Sequence, residues 1–164
     1  TNHAHGSGVS YNVVTITGIT DGAAAMVLAS GSFVTKHNLK PLARILAVTS
    51  AGVSPERMGI GPVPALQKLE TKHGIKSFDA DLIELNEAFA AQVLACDRQI
   101  HFDRDKLNVN GGAIALGHPI GCTGARITVT LVHEMLKRKA RRGIATLCVS
   151  GGMGMALAIE NVAV

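Results

Sequence analysis

Aromatic side chains are scarce: they make up 3% of the 164 residues, with one Tyr, four Phe and no Trp. A reader of single-stranded nucleic acid stacks bases on such rings between cationic side chains. That class is excluded, although the formal charge is +4. The one dense cationic cluster is Lys137, Arg138, Lys139, Arg141 and Arg142. It falls where a helix is expected to end, where cations complement the helix dipole, and supports only a mild preference for phosphorylated anionic ligands. Cysteine is scarce as well. Cys96, Cys122 and Cys148 are odd in number and form no CxxC pair, which excludes a disulfide framework and predicts reduced thiols in the cytoplasm. Every apolar run is interrupted by Gly or charge before it reaches membrane-spanning length. The opening residues 1–8 lack the apolar segment of a signal peptide; they read as an expression remnant or as the frayed beginning of a truncated chain.

What is present is a globular composition: 47% apolar, 17% charged and 18 Gly. The apolar mass is Ala, Val, Ile and Leu, which suits an α/β layer structure with tight strand–helix turns. Residues 23–29 read as a short buried helix or strand, and the alanines favour helix. Residues 43–49 look like a core strand. Ser54-Pro55-Glu56 signals a helix start, and residues 64–70 are predicted helical, stopping at a left-handed cap on Gly74. A strand over residues 81–85 feeds directly into a helix capped by Asn86, and Val109 sits in a brief extended stretch before a glycine loop over residues 111–124. Thr128, Leu131, Val132 and Met135 repeat with helical period. Two strands, residues 144–149 and 155–159, flank a Ser150-Gly151-Gly152 turn. The only boundary falls near residues 30–40. It separates a leading segment, residues 1–30, from a main domain, residues 31–164.

Three positions could carry chemistry. His118 lies between Gly117 and Pro119 in a constrained loop ahead of a long helix. A histidine held this way can be a proton shuttle or an oxyanion donor, or a core histidine that binds backbone carbonyls. Cys148 ends a strand beside the amides of Ser150-Gly151-Gly152; it is either a reactive thiol or a small buried hydrophobe. Asn86 sits at a strand-to-helix junction, where an amide caps the helix and can also fix a water. The glycine loop lacks the Lys of a P-loop and is not GxGxxG, which argues against nucleotide binding. His118, Cys122, His133 and Cys148 match no zinc spacing, so no metal is expected.

Together, Glu84-Leu85-Asn86-Glu87-Ala88-Phe89-Ala90, the run Asn110 to Gly121 with its Gly-His-Pro-Ile-Gly, and Cys148 followed by Gly151-Gly152-Met153-Gly154 resemble the thiolase family in order and approximate spacing. Met58-Gly59-Ile60-Gly61-Pro62 and Asp21-Gly22-Ala23-Ala24 are similar to further thiolase segments. The likeness runs from about Asp21 to Glu160, nearly the whole chain. It implies a thiolase-like layered α/β fold, with a five-stranded mixed sheet and helices on its faces. It also implies the C-terminal domain of an enzyme catalysing reversible Claisen condensation or thiolysis of acetoacetyl-CoA or 3-ketoacyl-CoA in fatty acid metabolism. Coenzyme A thioesters would be substrates and no cofactor is implied. His118 would activate a nucleophilic cysteine, Asn86 would hold a water in the first oxyanion hole, and Cys148 would be the acid/base at the acetyl α-carbon. Phe89 and Met58 would line the pantetheine and acyl pocket, and Thr17 would stand in for a coenzyme A-contacting Ser.

The sequence departs from the family pattern in three places. No segment resembles the nucleophile motif of the family's N-terminal half, so the chain alone is expected to be inactive, with that missing half as a partner. The full-length protein is expected to be a homodimer or homotetramer. The residue two after the catalytic cysteine, usually Gly, is Ser150, whose backbone N–H would serve the second oxyanion hole. The residues before Ile19 look foreign to the family. The alternative function is a non-catalytic thiolase-like module that dimerises or binds acyl-CoA.

Overall fold

The computed structural model describes residues 16–162. The opening residues 1–15, including those read as an expression remnant, lie outside the described residues. Helix α1, Gly31–Lys36, starts at Ser30, whose hydroxyl accepts the Phe33 N–H at 3.2 Å. Strand β1, Ala43–Gly52, follows. A 3₁₀ turn at Pro55–Ile60 leads into α2, Pro62–His73. Proline opens both because its missing N–H is not needed in a first turn, and α2 ends at Gly74 with φ 66°, the left-handed cap the sequence predicts. Then come β2, Leu82–Leu85, and α3, Ala90–Ile100. A single short turn, α4, Ala113–Leu116, lies inside the glycine loop, and α5 spans Thr123–Arg138. Strands β3, Arg142–Val149, and β4, Met153–Asn161, form a hairpin. Its turn places positive φ on Gly151 and Gly152 and leaves Ser150 outside that region.

Among the described residues there is one sheet, of four strands rather than five, in the order β1-β4-β3-β2. The β2–β3 pair is parallel and the other two pairs are antiparallel. Neither segment that could have supplied a fifth strand does so. Residues 23–29 form no helix or strand, and Val27 is 96% exposed. An apolar segment becomes regular by pairing and by burying one face, and no described element covers this one. The extended contact expected at Val109 is made instead by Leu107, which bridges Ile83, while Val109 and Asn110 turn.

Helices cover both faces of the sheet. On one face α2 and α3 bury Leu66, Leu69, Val93 and Cys96 against Ala47, Ile144 and Ala158. On the other, Ile127, Leu131 and Met135 of α5 pack on Leu82, Ala145 and Ile159. Helix α5 covers the β2–β3 side of its face, so β1 joins the core through its other face alone, with Ala47, Thr49 and Ala51 buried. Val48, Met153 and Met155, on the α5 face by register, stay exposed.

Candidate functional site

The parallel pair β2–β3 brings two chain ends to one edge of the domain. β2 stops at Leu85, opposite Thr146, and the Asn86 N–H donates to the Thr146 carbonyl at 3.0 Å. Asn86 is not the cap of α3. The chain runs extended through Phe89, which occupies the cap position, and the helix begins at Ala90. Freed from capping, the Asn86 side chain is 1% exposed and turns towards the glycine loop. Its Nδ2 lies 3.5 Å from His118 Nε2, and its Oδ1 is buried with no hydrogen-bond partner among the described residues. Buried amide oxygens are rarely left so, which sets Asn86 apart as an unsatisfied polar group beside the imidazole.

His118 is half-buried and held at three points. Its backbone N–H donates to the Gly18 carbonyl at 2.9 Å. Its Nδ1 lies 2.6 Å from the Thr123 hydroxyl, at the start of α5, and its Nε2 faces Asn86. Desolvation, and secondarily the Arg126 guanidinium, hold the imidazole below the usual histidine range. It is therefore neutral at neutral pH, with one ring nitrogen free to accept a proton.

The loop that carries His118 is clamped from two sides. On one side Glu87 Oε2 accepts the Ile114 N–H at 3.1 Å. Its other oxygen accepts from Asn108 Nδ2 at 3.2 Å. The carboxylate presses so close to Gly112 that a Cβ there would lie 2.0 Å from its carbon, so a larger residue would displace Glu87 from this position. Asn108, at φ 47°, uses its side-chain amide as a surrogate strand. It accepts the Leu85 N–H and donates to the Leu85 carbonyl, both at 2.9 Å. On the other side residues 16–20 cross the loop: the Thr17 hydroxyl donates to the Ala113 carbonyl at 2.5 Å and Thr20 packs on Gly117. Thr17, a coenzyme A contact by resemblance, is buried in this clamp. A loop amide already bound to a carboxylate is a poor phosphate cradle, which agrees with the missing P-loop lysine.

Behind Asn86, Glu84 is 3% exposed and faces Arg126 Nη1 at 3.7 Å. Desolvation outweighs the guanidinium and pushes its carboxyl up to about 7. This pair ties β2 to α5, the elements that deliver Asn86 and Thr123.

Cys148 lies on β3 two residues beyond Thr146, so it shares the sheet end at which Asn86 emerges. It is free and buried, and burial pushes its thiol up. Ser150 follows in the exposed turn with ordinary backbone angles, so its side chain strains nothing. Phe89 sits on the extended link after Asn86, 37% exposed, and Met58 is half-buried in the 3₁₀ turn. The other two thiols are placed differently. Cys96 is fully buried in α3, donates to the Gly59 carbonyl at 3.4 Å and is pushed up to about 11; Cys122 is half-buried just before α5. The sequence pattern did not single out Thr123 or Asn108. A hydroxyl five residues after the histidine, and an Asn at the start of an Asn-x-Asn-Gly-Gly turn, were the available signals.

Two open clefts lie away from this group. One of about 430 Å³ is lined by Asp81, Lys106, Arg138 and Arg141, and one of about 550 Å³ by Arg57, Ile60, Gln92 and Arg98. Neither contains His118, Asn86 or Cys148. Among the described residues no cluster of His, Cys, Asp or Glu could hold a metal, and no helix is long and apolar enough to cross a membrane.

Residues 39–161 match the family model for thiolase, C-terminal domain. The chain is 56% identical over 147 residues to the beta-ketoadipyl-CoA thiolase of Pseudomonas aeruginosa, covering 88% of this chain and 37% of that protein. It is 56% identical over 144 residues to the acetyl-CoA acetyltransferase of Escherichia coli, covering 88% and 36%. The structure of human mitochondrial 3-ketoacyl-CoA thiolase in complex with CoA superposes with a TM-score of 0.79 at 49% identity, over 82% of this chain and 34% of that one. The chain thus spans little more than a third of the length of these relatives.

Proposed function

The chain belongs to the thiolase family, matching its C-terminal domain, and from that premise we propose that it supplies the acid/base half of an active site for Claisen condensation and thiolysis of acetoacetyl-CoA or 3-ketoacyl-CoA. The observation that carries the reading is the meeting of Asn86 and His118, side chains 32 positions apart, at the sheet end where Cys148 also emerges. In this reading a cysteine outside these 164 residues is deprotonated by the neutral His118 imidazole. It attacks the substrate thioester, forming an acyl-enzyme and releasing CoA–SH. Cys148, as its thiolate, takes a proton from the α-carbon of acetyl-CoA. The resulting enolate carbon attacks the acyl-enzyme carbonyl and displaces the cysteine thiolate, which regains a proton from the Cys148 thiol. In thiolysis the steps reverse, and Cys148 returns the proton to the enolate carbon, a role that suits a thiol kept protonated by burial.

Asn86 would fix, through its amide, the water that joins His118 in the first oxyanion hole, and the Ser150 N–H would belong to the second. Phe89 and Met58 would flank the pantetheine and acyl chain. Thr17 is better cast as a support of the loop, since its hydroxyl is occupied by Ala113. No cofactor is needed, because the thioester itself activates the α-carbon. A dimeric or tetrameric assembly and a cytoplasmic role in fatty acid metabolism belong to the same proposal.

Cys96 is sealed in the core, and the resemblance gives the acyl-accepting role to neither Cys122 nor Cys148. This favours a second reading for the chain by itself, a non-catalytic acyl-CoA-binding or dimerising module. Thiolysis of acetoacetyl-CoA by this chain, measured beside the intact gene product that contains it, separates the two. In the intact product His118→Ala should abolish acyl-enzyme formation, whereas Cys148→Ala should leave acylation and stop condensation. Near-normal acylation in the first variant, or unchanged condensation in the second, refutes the assignment.

A further inference from the structure

Which nitrogen of His118 carries the proton decides whether the ring can act as a base towards the Asn86 side. We infer that Thr123 is a positioning residue that fixes His118 as the Nδ1–H tautomer, leaving the Nε2 lone pair directed at Asn86 and the open end of the sheet. The inference deepens the proposed function and rests on its reading of His118 as the base.

The geometry supplies two independent constraints. First, a threonine hydroxyl has one proton, and of its two neighbours the Pro119 carbonyl, at 3.0 Å, can only accept it, whereas His118 Nδ1 can take either role. With that proton directed at Pro119, the Thr123 oxygen meets His118 Nδ1, 2.6 Å away, with a lone pair, and Nδ1 donates. Second, the group facing Nε2 is Nδ2 of Asn86, a donor, at 3.5 Å, so Nε2 must accept. Both ends of the ring call for the same tautomer. Thr123 is also rigidly placed, being fully buried and the first residue of the 16-residue helix α5. Its own N–H and that of Cys122 donate to the same Pro119 carbonyl at 2.8 and 2.7 Å. Helix α5, the Pro119 turn and the imidazole are thereby linked through one hydroxyl. In other sites a histidine's second nitrogen is commonly held by a backbone carbonyl or a carboxylate. A neutral hydroxyl sets the tautomer without adding a negative charge that would raise the ring's affinity for a second proton.

The test needs no enzymatic turnover. Two-bond ¹⁵N–¹H correlation spectra of the labelled 164-residue chain, above the His118 titration, show directly which ring nitrogen is protonated; the His118 signals are identified by their disappearance in His118→Ala. The expected result is a protonated Nδ1 and an unprotonated Nε2. Thr123→Ser should keep that pattern, and Thr123→Val, which removes the acceptor at nearly constant volume, should lose the Nδ1–H signal while the backbone amide spectrum stays folded. A protonated Nε2 in the unsubstituted chain overturns the inference outright, even if the Val variant fails to fold. Persistence of Nδ1–H in a folded Thr123→Val chain overturns it too. Neither outcome bears on whether His118→Ala loses acylation, so failure of this inference and failure of the thiolase reading are told apart.

Discussion

Glu84 offers a measurement of how strongly the domain enforces its own site architecture. The carboxyl is 3% exposed, and its one nearby cation, Arg126 Nη1 at 3.7 Å, does not compensate for the loss of water. The folded state therefore holds the proton up to about 7, against an ordinary 4.5. A group whose folded pKa is raised contributes stability that is fully present below its unfolded pKa and is lost as pH rises through the folded value. At about 1.4 kcal/mol per pH unit, the interval from 4.5 to about 7 amounts to about 3 kcal/mol lost on going from acidic to neutral pH. Glu84→Gln keeps the shape of the protonated acid and cannot ionise. Urea unfolding of both chains, followed by far-UV circular dichroism from about pH 4.5 to about pH 7.5, should show similar stability at the acidic end. The Gln variant should become the more stable, by an amount approaching that figure, near neutrality. Taking the difference between the two chains cancels other titrations, including that of His118, whose depressed pKa acts in the opposite direction. A difference that stays flat with pH would refute the claim that desolvation dominates at this carboxyl.

Two further outcomes test the packing around the site. Gly154, paired with Cys148, lies against Gly61 at the start of α2, where a Cβ would come within 1.9 Å of the Gly61 oxygen. Gly154→Ala should therefore cost about 2–3 kcal/mol of overpacking and lower the melting temperature by roughly 5–10 °C; an unchanged melting temperature would show that α2 is not held that close. Cys96, fully buried with its thiol pushed up to about 11, should resist iodoacetamide at neutral pH until the chain unfolds. Mass-spectrometric mapping that finds it alkylated in the native state would contradict that burial.

The elements that rest on local chemistry could be read from the chain alone. The α2 cap at Gly74, the period of α5 and the turn at residues 150–152 were all legible, because capping, hydrophobic repeat and turn conformation are set within a few neighbouring residues. The segments that carry Asn86, His118 and Cys148 stood out by the order in which they occur, and with them the resemblance to the thiolase family. How distant segments treat one another emerged only from the folded domain. Residues 23–29 carry an apolar run read as a buried helix or strand yet form neither, and Asn86 gave up an expected capping role to face His118 across 32 positions of chain. The same holds for Glu87 wedged on Gly112 and Thr123 bound to the imidazole. Local propensity fixes what a segment can become. Which carboxylate is desolvated, and which hydroxyl orients which ring, depends on atoms that meet only after the sheet has closed, and no spacing in the chain records their distances.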